Sequence, residues 1–243
     1  MGQKKLVVAD IHGQISIFQH IYDYILDVTR LNKKIEIGFV GDYADRGEAG
    51  EFNGKAYEDI GSRLVYEKLM ALENHFKTNK IPYFFLKGNH ERDMLGLIED
   101  KKTTLKNTEA IKKAYAGICA EPSIEGDIKA FIERMPLYRA DKRNRLLFVH
   151  AGVDPEEGDI LQSDPAYFLW ARTHFFESKR RYPYRVIFGH TKMSVPFVKE
   201  DRIGIDGGAY ENGWLNVLLM DGKKAKIISF NAEGDIITRY EEE

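Results

Sequence analysis

Short apolar runs alternate with helical patterns along the first half of the chain. The run over residues 4–9 predicts a strand, and apolar residues at helical spacing predict a helix over 15–31. Further strands are predicted over 35–40 and 81–86, with a helix over 58–76 between them. This alternation is typical of an α/β fold with parallel strands.

The second half is predicted to contain more helix and then shorter strands. Residues 91–134 have a mostly helical pattern, interrupted at 101–106 and near Pro122. A hairpin is expected from 135–139 and 146–149, then a helix over 165–177 and strands over 185–188, 196–199, 203–206, 214–220, 225–230 and 236–240. The sequence contains no repeat or linker, so we expect a single domain over residues 1–243.

Five of the predicted strands end in the same way, with a metal-capable side chain beside a glycine. The residues at these ends are Asp10 and His12, Asp42, Asn89, His150, and His190. Ligands of α/β proteins bind beyond the carboxyl ends of strands, so we expect these side chains to converge. Six ligands exceed the four of a closed zinc site and suit two divalent ions about 3.5–4 Å apart. Nitrogen and oxygen donors without sulfur favour manganese, iron or zinc, and of these we expect manganese.

The stretch 41–47 (Gly-Asp-Tyr-Ala-Asp-Arg-Gly) concentrates charge directly after a predicted strand. Asp42 and Asp45 repel each other unless cations lie near them, and Arg46 supplies only one positive charge. The stretch therefore predicts a metal site that also binds an anion, with Asp42 as the carboxylate shared by the two ions.

The five motifs together resemble those of the calcineurin-like metallophosphoesterases. They are Asp-Ile-His-Gly at 10–13, the stretch 41–47, Gly-Asn-His-Glu at 88–91, His-Ala-Gly at 150–152 and Gly-His-Thr at 189–191. The pattern is most similar to the phosphoprotein phosphatase branch, which includes bacterial Ser/Thr phosphatases and symmetrical diadenosine tetraphosphate hydrolases. The resemblance implies a four-layer α/β/β/α sandwich with a dimetal site at the carboxyl ends of the strands.

The resemblance also implies a role for each matching residue. Asp10, His12 and Asp42 correspond to ligands of the first metal, and Asp42, Asn89, His150 and His190 to ligands of the second. His90 is the expected general acid, with Asp45 as its carboxylate partner, while a hydroxide held between the metals attacks phosphorus. Arg46 and Arg172, together with Asn89, are expected to contact the phosphate, although Arg172 is also consistent with a solvated arginine.

Two departures from the family pattern leave the substrate open. A polar segment, 48–57, follows the stretch 41–47 and is expected to be a surface loop, either a substrate lid or a tolerated insertion. No glycine-rich segment typical of diadenosine tetraphosphate hydrolases occurs in 100–135. We therefore favour a Ser/Thr protein phosphatase, with symmetrical dinucleoside polyphosphate hydrolysis as the alternative and a catalytically silent phosphate-ester or nucleotide binding module as a lesser one.

The composition limits the binding partners, the kinds of metal site and the cellular location that we expect. Lysine and arginine total 36 against 38 acidic residues, which gives no general attraction to nucleic acid or to an anionic membrane. Cys119 is the only cysteine, so an intramolecular disulfide is impossible and a thiolate zinc site is disfavoured. No signal-peptide pattern or membrane-spanning run is visible, and we expect a cytoplasmic protein. The oligomeric state stays open.

Overall fold

Two β-sheets form the centre of the computed structural model, which describes residues 3–99 and 108–242. The first contains β1 (Lys4–Val8), β2 (Glu36–Phe39), β5 (Tyr83–Phe85), β11 (Leu215–Asp221), β12 (Lys224–Phe230) and β13 (Ile236–Glu241), in the order β13-β12-β11-β1-β2-β5. The second contains β6 (Tyr138–Asp141), β7 (Leu146–Val149), β8 (Arg185–Phe188), β9 (Phe197–Lys199) and β10 (Arg202–Gly204), in the order β6-β7-β8-β10-β9. Strands β1, β2 and β5 are parallel, as are β7, β8 and β10.

The two sheets pack face to face because alternate residues of the second sheet point toward the first. Phe148 of β7 contacts Phe84 of β5, with ring centroids 5.0 Å apart. Its neighbours Leu147 and Val149 point the opposite way, into a separate cluster with Phe168 and Phe175. This period of two is what a strand buried on both faces requires.

Helices cover the two outer faces of the paired sheets. Five of them pack into the same core as the first sheet: α1 (Ile15–Leu31), α2 (Gly61–Asn79), α3 (Asn89–Ile98), α4 (Thr108–Ile118) and α5 (Pro122–Glu133). The short helices α6 (Pro165–Trp170) and α7 (Thr173–Phe176) pack on the second sheet, and α8 (Ala209–Asn212) follows β10. The predicted α/β/β/α sandwich is confirmed.

The helix predicted over 165–177 is wrong in one respect, because α6 and α7 are separated at Ala171 and Arg172. Ala171 has an extended backbone (φ −56°, ψ 138°). In a continuous helix the carbonyl of Phe168 would accept from the amide of Arg172. Here it accepts instead from the Ala151 amide, 2.8 Å away, which ties α6 to the end of β7.

The surface loop predicted over 48–57 is also corrected, because its residues form a β-hairpin. Strands β3 (Gly50–Phe52) and β4 (Lys55–Tyr57) pair antiparallel around Asn53 and Gly54. Both turn residues have positive φ, 51° and 75°, as a type I′ turn requires. Phe52 lies under the Arg63 guanidinium, 3.8 Å from ring centroid to carbon, so the hairpin is held against α2.

The boundaries of other predicted elements differ from the structure by a few residues. One prediction cannot be compared with the structure. The first strand of the predicted 135–139 and 146–149 hairpin lies three residues later along the chain, at β6. The interruption predicted at 101–106 lies outside the described residues. Within 3–99 and 108–242, no helix combines the length and apolarity needed to cross a membrane.

Candidate metal centre

The six predicted metal ligands converge at the carboxyl ends of β1, β2, β5, β7 and β8. All six side chains are buried. Asp42 lies at the centre: its Oδ2 is 3.3 Å from Nε2 of His150 and 3.7 Å from Nε2 of His12. Asp42, His150 and His190 have candidate ligand atoms within 4.8 Å of one another, and so do His12, Asp42 and His90. The structure therefore brings the predicted ligands together at one edge of the paired sheets, and their role as metal ligands stays a prediction.

Backbone carbonyls orient two of the histidines toward Asp42. Nδ1 of His12 lies 3.1 Å from the Ala44 carbonyl, and Nδ1 of His150 lies 3.0 Å from the Val40 carbonyl. A carbonyl can only accept, so in each ring Nδ1 carries a proton and Nε2 is the candidate ligand atom. Second-sphere contacts of this kind are how proteins orient histidine ligands of metals.

Three potential metal-ligand atoms lie close around Nε2 of His150. Its Nε2 lies 2.9 Å from Oδ1 of Asn89, 3.1 Å from Nδ1 of His190 and 3.3 Å from Oδ2 of Asp42. A single proton on one of these rings satisfies only one of the three contacts, whereas a cation among the atoms would satisfy all of them. Carboxylate, amide and imidazole donors suit a first-row divalent ion, so the residues present fit a metal site.

Buried atoms without partners and shifted pKa values support the same fit. Oδ1 of Asp10 and Nε2 of His190 have no hydrogen-bond partner within the described part of the chain. Burial, together with Asp206 and Asp42, raises the pKa of Asp10 well above its usual value. Burial and His90 lower the pKa of His12 to about 3, and burial and His150 lower that of His190 to about 2, so both imidazoles are neutral at physiological pH.

His90, the predicted acid, lies between two carboxylates. Its Nδ1 is 2.8 Å from Oδ2 of Asp45, and its Nε2 is 3.7 Å from Oδ2 of Asp42. Burial alone would lower the pKa of His90, but Asp42 and Asp45 outweigh it and raise the pKa above the usual value. The geometry thus favours a protonated imidazole. His90, rather than Asp10, completes the cluster with His12 and Asp42.

Backbone strain is concentrated at this cluster. Eight described residues other than glycine have positive φ, and five of them belong to the predicted site: His12, Asp42, Asp45, Arg46 and His190. Such conformations cost about 1–3 kcal/mol each and persist where the surroundings impose them for function. Close approach adds to the constraint, because a Cβ on Gly189 would lie 1.9 Å from Oδ1 of Asp10.

Glu91 holds the stretch 41–47 in place, a role that was not predicted from the sequence. This fully buried carboxylate accepts hydrogen bonds from the amides of Asp42 (2.8 Å), Tyr43 (2.9 Å) and Gly88 (2.8 Å), and from the Tyr66 hydroxyl (3.2 Å). A signal was available, because an acid three residues after Gly88 is the pattern of a capping box at a helix start.

Asp206 was missed as well, although it follows β10 in the same manner as the predicted ligands follow their strands. It is buried, and burial together with Asp42 raises its pKa to about 6, in spite of the Gly208 amide, which lowers it. The sequence Asp206-Gly207-Gly208 repeats the pattern of a strand followed by a polar residue and glycine. Asp206 therefore adds a sixth strand end to the cluster.

Two aromatic residues flank the cluster, each beside an arginine. Tyr210 meets the edge of His12 (ring centroids 5.0 Å apart) and lies 4.8 Å from the Arg46 guanidinium carbon. Trp170 meets the edge of His190 (5.9 Å) and lies 5.6 Å from the Arg92 guanidinium carbon.

The two predicted phosphate-binding arginines are both at the rim. Arg46 retains 30% of its side-chain exposure and lies next to Asp45, with Nη2 4.0 Å from Oδ2. Arg172 is exposed, and its Nη1 lies 3.5 Å from the His190 carbonyl. The break between α6 and α7 is therefore what brings Arg172 to the cluster.

Comparison with known proteins identifies the family. The sequence model of the calcineurin-like phosphoesterases matches residues 4–228. The chain belongs to this family. It is a metal-dependent phosphoesterase, as the order of its motifs implied.

Proteins similar to this phosphoesterase are named for different substrates. The asymmetrical bis(5′-nucleosyl)-tetraphosphatase PrpE of Bacillus cereus (strain AH820) is 23% identical over 236 residues, covering 87% of this chain and 88% of the relative. A cold-active protein tyrosine phosphatase of a psychrophilic Shewanella aligns over 98% of this chain and 80% of its own, at 15% identity and a TM-score of 0.58. A protein serine/threonine phosphatase of Saccharomyces cerevisiae aligns over 94% and 79%, at 17% identity and a TM-score of 0.58. At these identities the two structures show the fold alone.

The pairing of Tyr210 with Arg46 leads to a prediction about substrate binding. Tyr210→Leu removes the ring beside the guanidinium. A cation–π contact contributes about 0.5–2 kcal/mol, depending on its exposure, so we expect KM for p-nitrophenyl phosphate to rise about 2- to 30-fold. Steady-state kinetics measure this. Tyr210→Phe, which keeps the ring but loses the 2.8 Å hydrogen bond from Lys192 Nζ, is the matched control. Equal KM values for both variants would show that the ring does not position Arg46.

Proposed function

We propose that this phosphoesterase hydrolyses phosphate esters by direct attack on phosphorus, with two divalent ions held by the six predicted ligands. Asp10, His12 and Asp42 are assigned to one ion, and Asp42, Asn89, His150 and His190 to the other. The observation that carries the proposal is the close grouping of Asn89 Oδ1, His190 Nδ1 and Asp42 Oδ2 around Nε2 of His150. When bound, the ions supply a hydroxide nucleophile from water and neutralise charge on the phosphoryl oxygens.

His90 is proposed as the general acid that protonates the leaving oxygen. Asp45 faces its Nδ1 and favours the protonated ring, which leaves the Nε2 proton directed toward the cluster. A proton donor of this kind contributes about 10²- to 10⁴-fold to the rate. Asp45 acts through His90 and is a positioning residue.

Arg46 and Arg172 are proposed to bind the phosphoryl group from two sides of the cluster. Guanidinium groups match the spacing of phosphate oxygens and keep their charge at any physiological pH. Both are at the rim and reach the cluster from different loops, Arg46 after β2 and Arg172 between α6 and α7. Manganese as the metal, a cytoplasmic location and a single domain over 1–243 stay predictions.

Two observations shift the proposed substrate from a phosphoprotein toward a dinucleoside polyphosphate. The relatives that match this chain over nearly their whole length are named as bis(5′-nucleosyl)-tetraphosphatases. Tyr210 and Trp170, both half-buried, offer a flat ring on each side of the cluster, where a phosphate chain with a base at each end could bind. The phosphoserine or phosphothreonine phosphatase remains the second candidate, supported by the fold shared with the yeast enzyme.

Three substrates separate the candidates. The purified protein with manganese is assayed against p-nitrophenyl phosphate, a phosphoserine peptide and diadenosine tetraphosphate. Higher kcat/KM for the dinucleotide supports the first candidate, and higher kcat/KM for the peptide supports the second. Inactivity on all three with two metal ions bound would contradict the proposal and favour a silent binding module.

The products distinguish the two modes of dinucleotide cleavage. The resemblance of the motifs implied symmetrical hydrolases, whereas the PrpE relatives are named asymmetrical. Symmetrical cleavage of diadenosine tetraphosphate produces two ADP, and asymmetrical cleavage produces ATP and AMP. Anion-exchange chromatography of the early products separates these outcomes.

The hairpin β3–β4 provides a test of substrate selection. The hairpin begins three residues after Gly47, close to the proposed phosphate-binding Arg46. We therefore expect deletion of residues 51–55 to change the ratio of kcat/KM between the dinucleotide and the phosphopeptide at least threefold. Hydrolysis of the small p-nitrophenyl phosphate should change less than twofold. Asn53→Gly preserves the two strands and the turn with positive φ, and serves as the control. An unchanged ratio after deletion would make the hairpin a tolerated insertion.

A further inference from the structure

A second charged region lies at the end of the molecule opposite the metal centre. It is a cavity of about 810 Å³, lined in part by Leu146, Arg185 and Arg202, the first residues of β7, β8 and β10. These strands are parallel, and the carboxyl ends of β7 and β8 lead to His150 and His190. A four-residue strand spans about 13 Å, so the cavity is separate from the catalytic end.

The cavity has a large excess of positive charge. Nine lysine or arginine side chains and four acidic ones line it, on a chain whose formal net charge is −2. Three of the acids already pair with arginines: Glu242 with Arg185, Asp201 with Arg202, and Glu200 with Arg181. Within residues 3–99 and 108–242, the other six basic side chains have no carboxylate partner.

Some of these cations are held in position by groups that do not cancel their charge. Nη1 of Arg180 donates to the Pro155 carbonyl (2.8 Å) and Nη2 donates to that of Gly158 (3.0 Å). Nε of Arg145 donates to the carbonyl of Pro183 (3.0 Å). Carbonyl oxygens orient a guanidinium but leave its full positive charge available to a ligand.

Three exposed lysines complete the rim of the cavity. Lys179, Lys223 and Lys224 are exposed, and the described part of the chain provides no hydrogen-bond or ion-pair partner for any of them. Like charges brought together in this way destabilise the fold by repulsion. An anionic ligand would remove this repulsion. Binding of such a ligand would explain why so many cations lie around one cavity.

We propose that this basic cavity is a second anion site that binds a chain of phosphate groups, apart from the catalytic centre. The cations come from four separate segments and surround the cavity, so a ligand with several linked charges engages them better than a single phosphate does. Oriented guanidinium groups match phosphate oxygens in pairs, and the lysines add point charges. The chain is either inorganic polyphosphate or the polyphosphate of a nucleotide.

Calorimetry with inorganic tripolyphosphate tests the proposal on the full-length, metal-loaded His90→Asn protein, in which turnover is suppressed. Magnesium is kept in excess so that the probe does not strip the bound metals. We expect two binding sites per chain. Lys179→Gln combined with Lys223→Gln and Lys224→Gln should weaken one of them at least tenfold. Lys33→Gln combined with Lys80→Gln and Lys112→Gln makes the same change in net charge elsewhere and should preserve both.

Further measurements distinguish specific binding of a phosphate chain from a general attraction for anions. With native His90, the cavity triple variant should hydrolyse p-nitrophenyl phosphate within twofold of the unmodified protein, which shows an intact fold and active site. Hydrogen–deuterium exchange should show protection by tripolyphosphate in residues 179–185. Tighter binding of ATP than of tripolyphosphate would identify a nucleotide, and weaker or equal binding an inorganic chain. Binding that the triple variant leaves unaffected, or equal binding of citrate, would overturn the proposal.

Discussion

His90→Asn is expected to lower kcat for p-nitrophenyl phosphate about 10²- to 10⁴-fold while KM changes less than threefold. Asparagine cannot deliver a proton to the leaving oxygen, and the groups proposed to bind the phosphate stay in place. Steady-state kinetics measure both constants. His20→Asn, at a half-buried position of α1 where the ring contacts the Ala232 carbonyl, should leave both unchanged. A large rise in KM with normal kcat would make His90 a binding residue.

Metal content separates two roles for His90 that the geometry places close together. Its Nε2 and that of His12 are equally far from Oδ2 of Asp42, at 3.7 Å. If His90 is the acid, His90→Asn retains two metal ions per chain by mass spectrometry of the eluted metals. Loss of one ion would instead identify His90 as a ligand.

The pH profile gives an independent readout of the same role through Asp45. The acid works while protonated, so kcat/KM falls as the pH rises through the pKa of His90. Asp45 is one of the carboxylates that raise this pKa. Asp45→Asn should therefore move the alkaline limb of the profile to lower pH. An unmoved limb in Asp45→Asn would contradict the assignment.

Glu91→Gln is expected to lower the free energy of unfolding by about 1–3 kcal/mol and to reduce kcat/KM at least tenfold. The Glu91 carboxylate receives three backbone amides and a hydroxyl, and an amide side chain keeps only one of the two acceptor oxygens. At least one buried amide is then left without a hydrogen-bond partner, which accounts for the expected loss of about 1–3 kcal/mol. The loop that carries Asp42 loses its anchor as a result.

Urea unfolding followed by circular dichroism, together with kinetics, measures both effects of Glu91→Gln. Glu109→Gln, an exposed acid on α4, makes the same chemical change and should stay within about 0.5 kcal/mol of the unmodified protein. Normal stability and activity in Glu91→Gln would mean that the stretch 41–47 holds its shape without this carboxylate.

The sequence predictions were most accurate for elements that are determined by the pattern of neighbouring residues. Helix α1 and strand β8 occur at the predicted residues, because their apolar patterns alone specify a buried stripe and a buried strand. The hairpin at 48–57 was missed because its glycines were interpreted as loop residues. Its Asn53-Gly54 pair is nevertheless a type I′ turn signal, so the information was present.

The order of residues along the chain determined the candidate ligands, since each lies at the end of an apolar run and parallel strands bring such ends to one edge. Only the tertiary structure decided which of them face one another, that carbonyls of Ala44 and Val40 direct two imidazoles toward Asp42, and that Glu91 anchors the loop. It also decided that Tyr210 and Trp170 flank the cluster and that the cations of four separate segments surround one cavity. Contacts between residues far apart in sequence depend on how the two sheets pack, whereas a strand and the polar residue after it are set by neighbours in the chain.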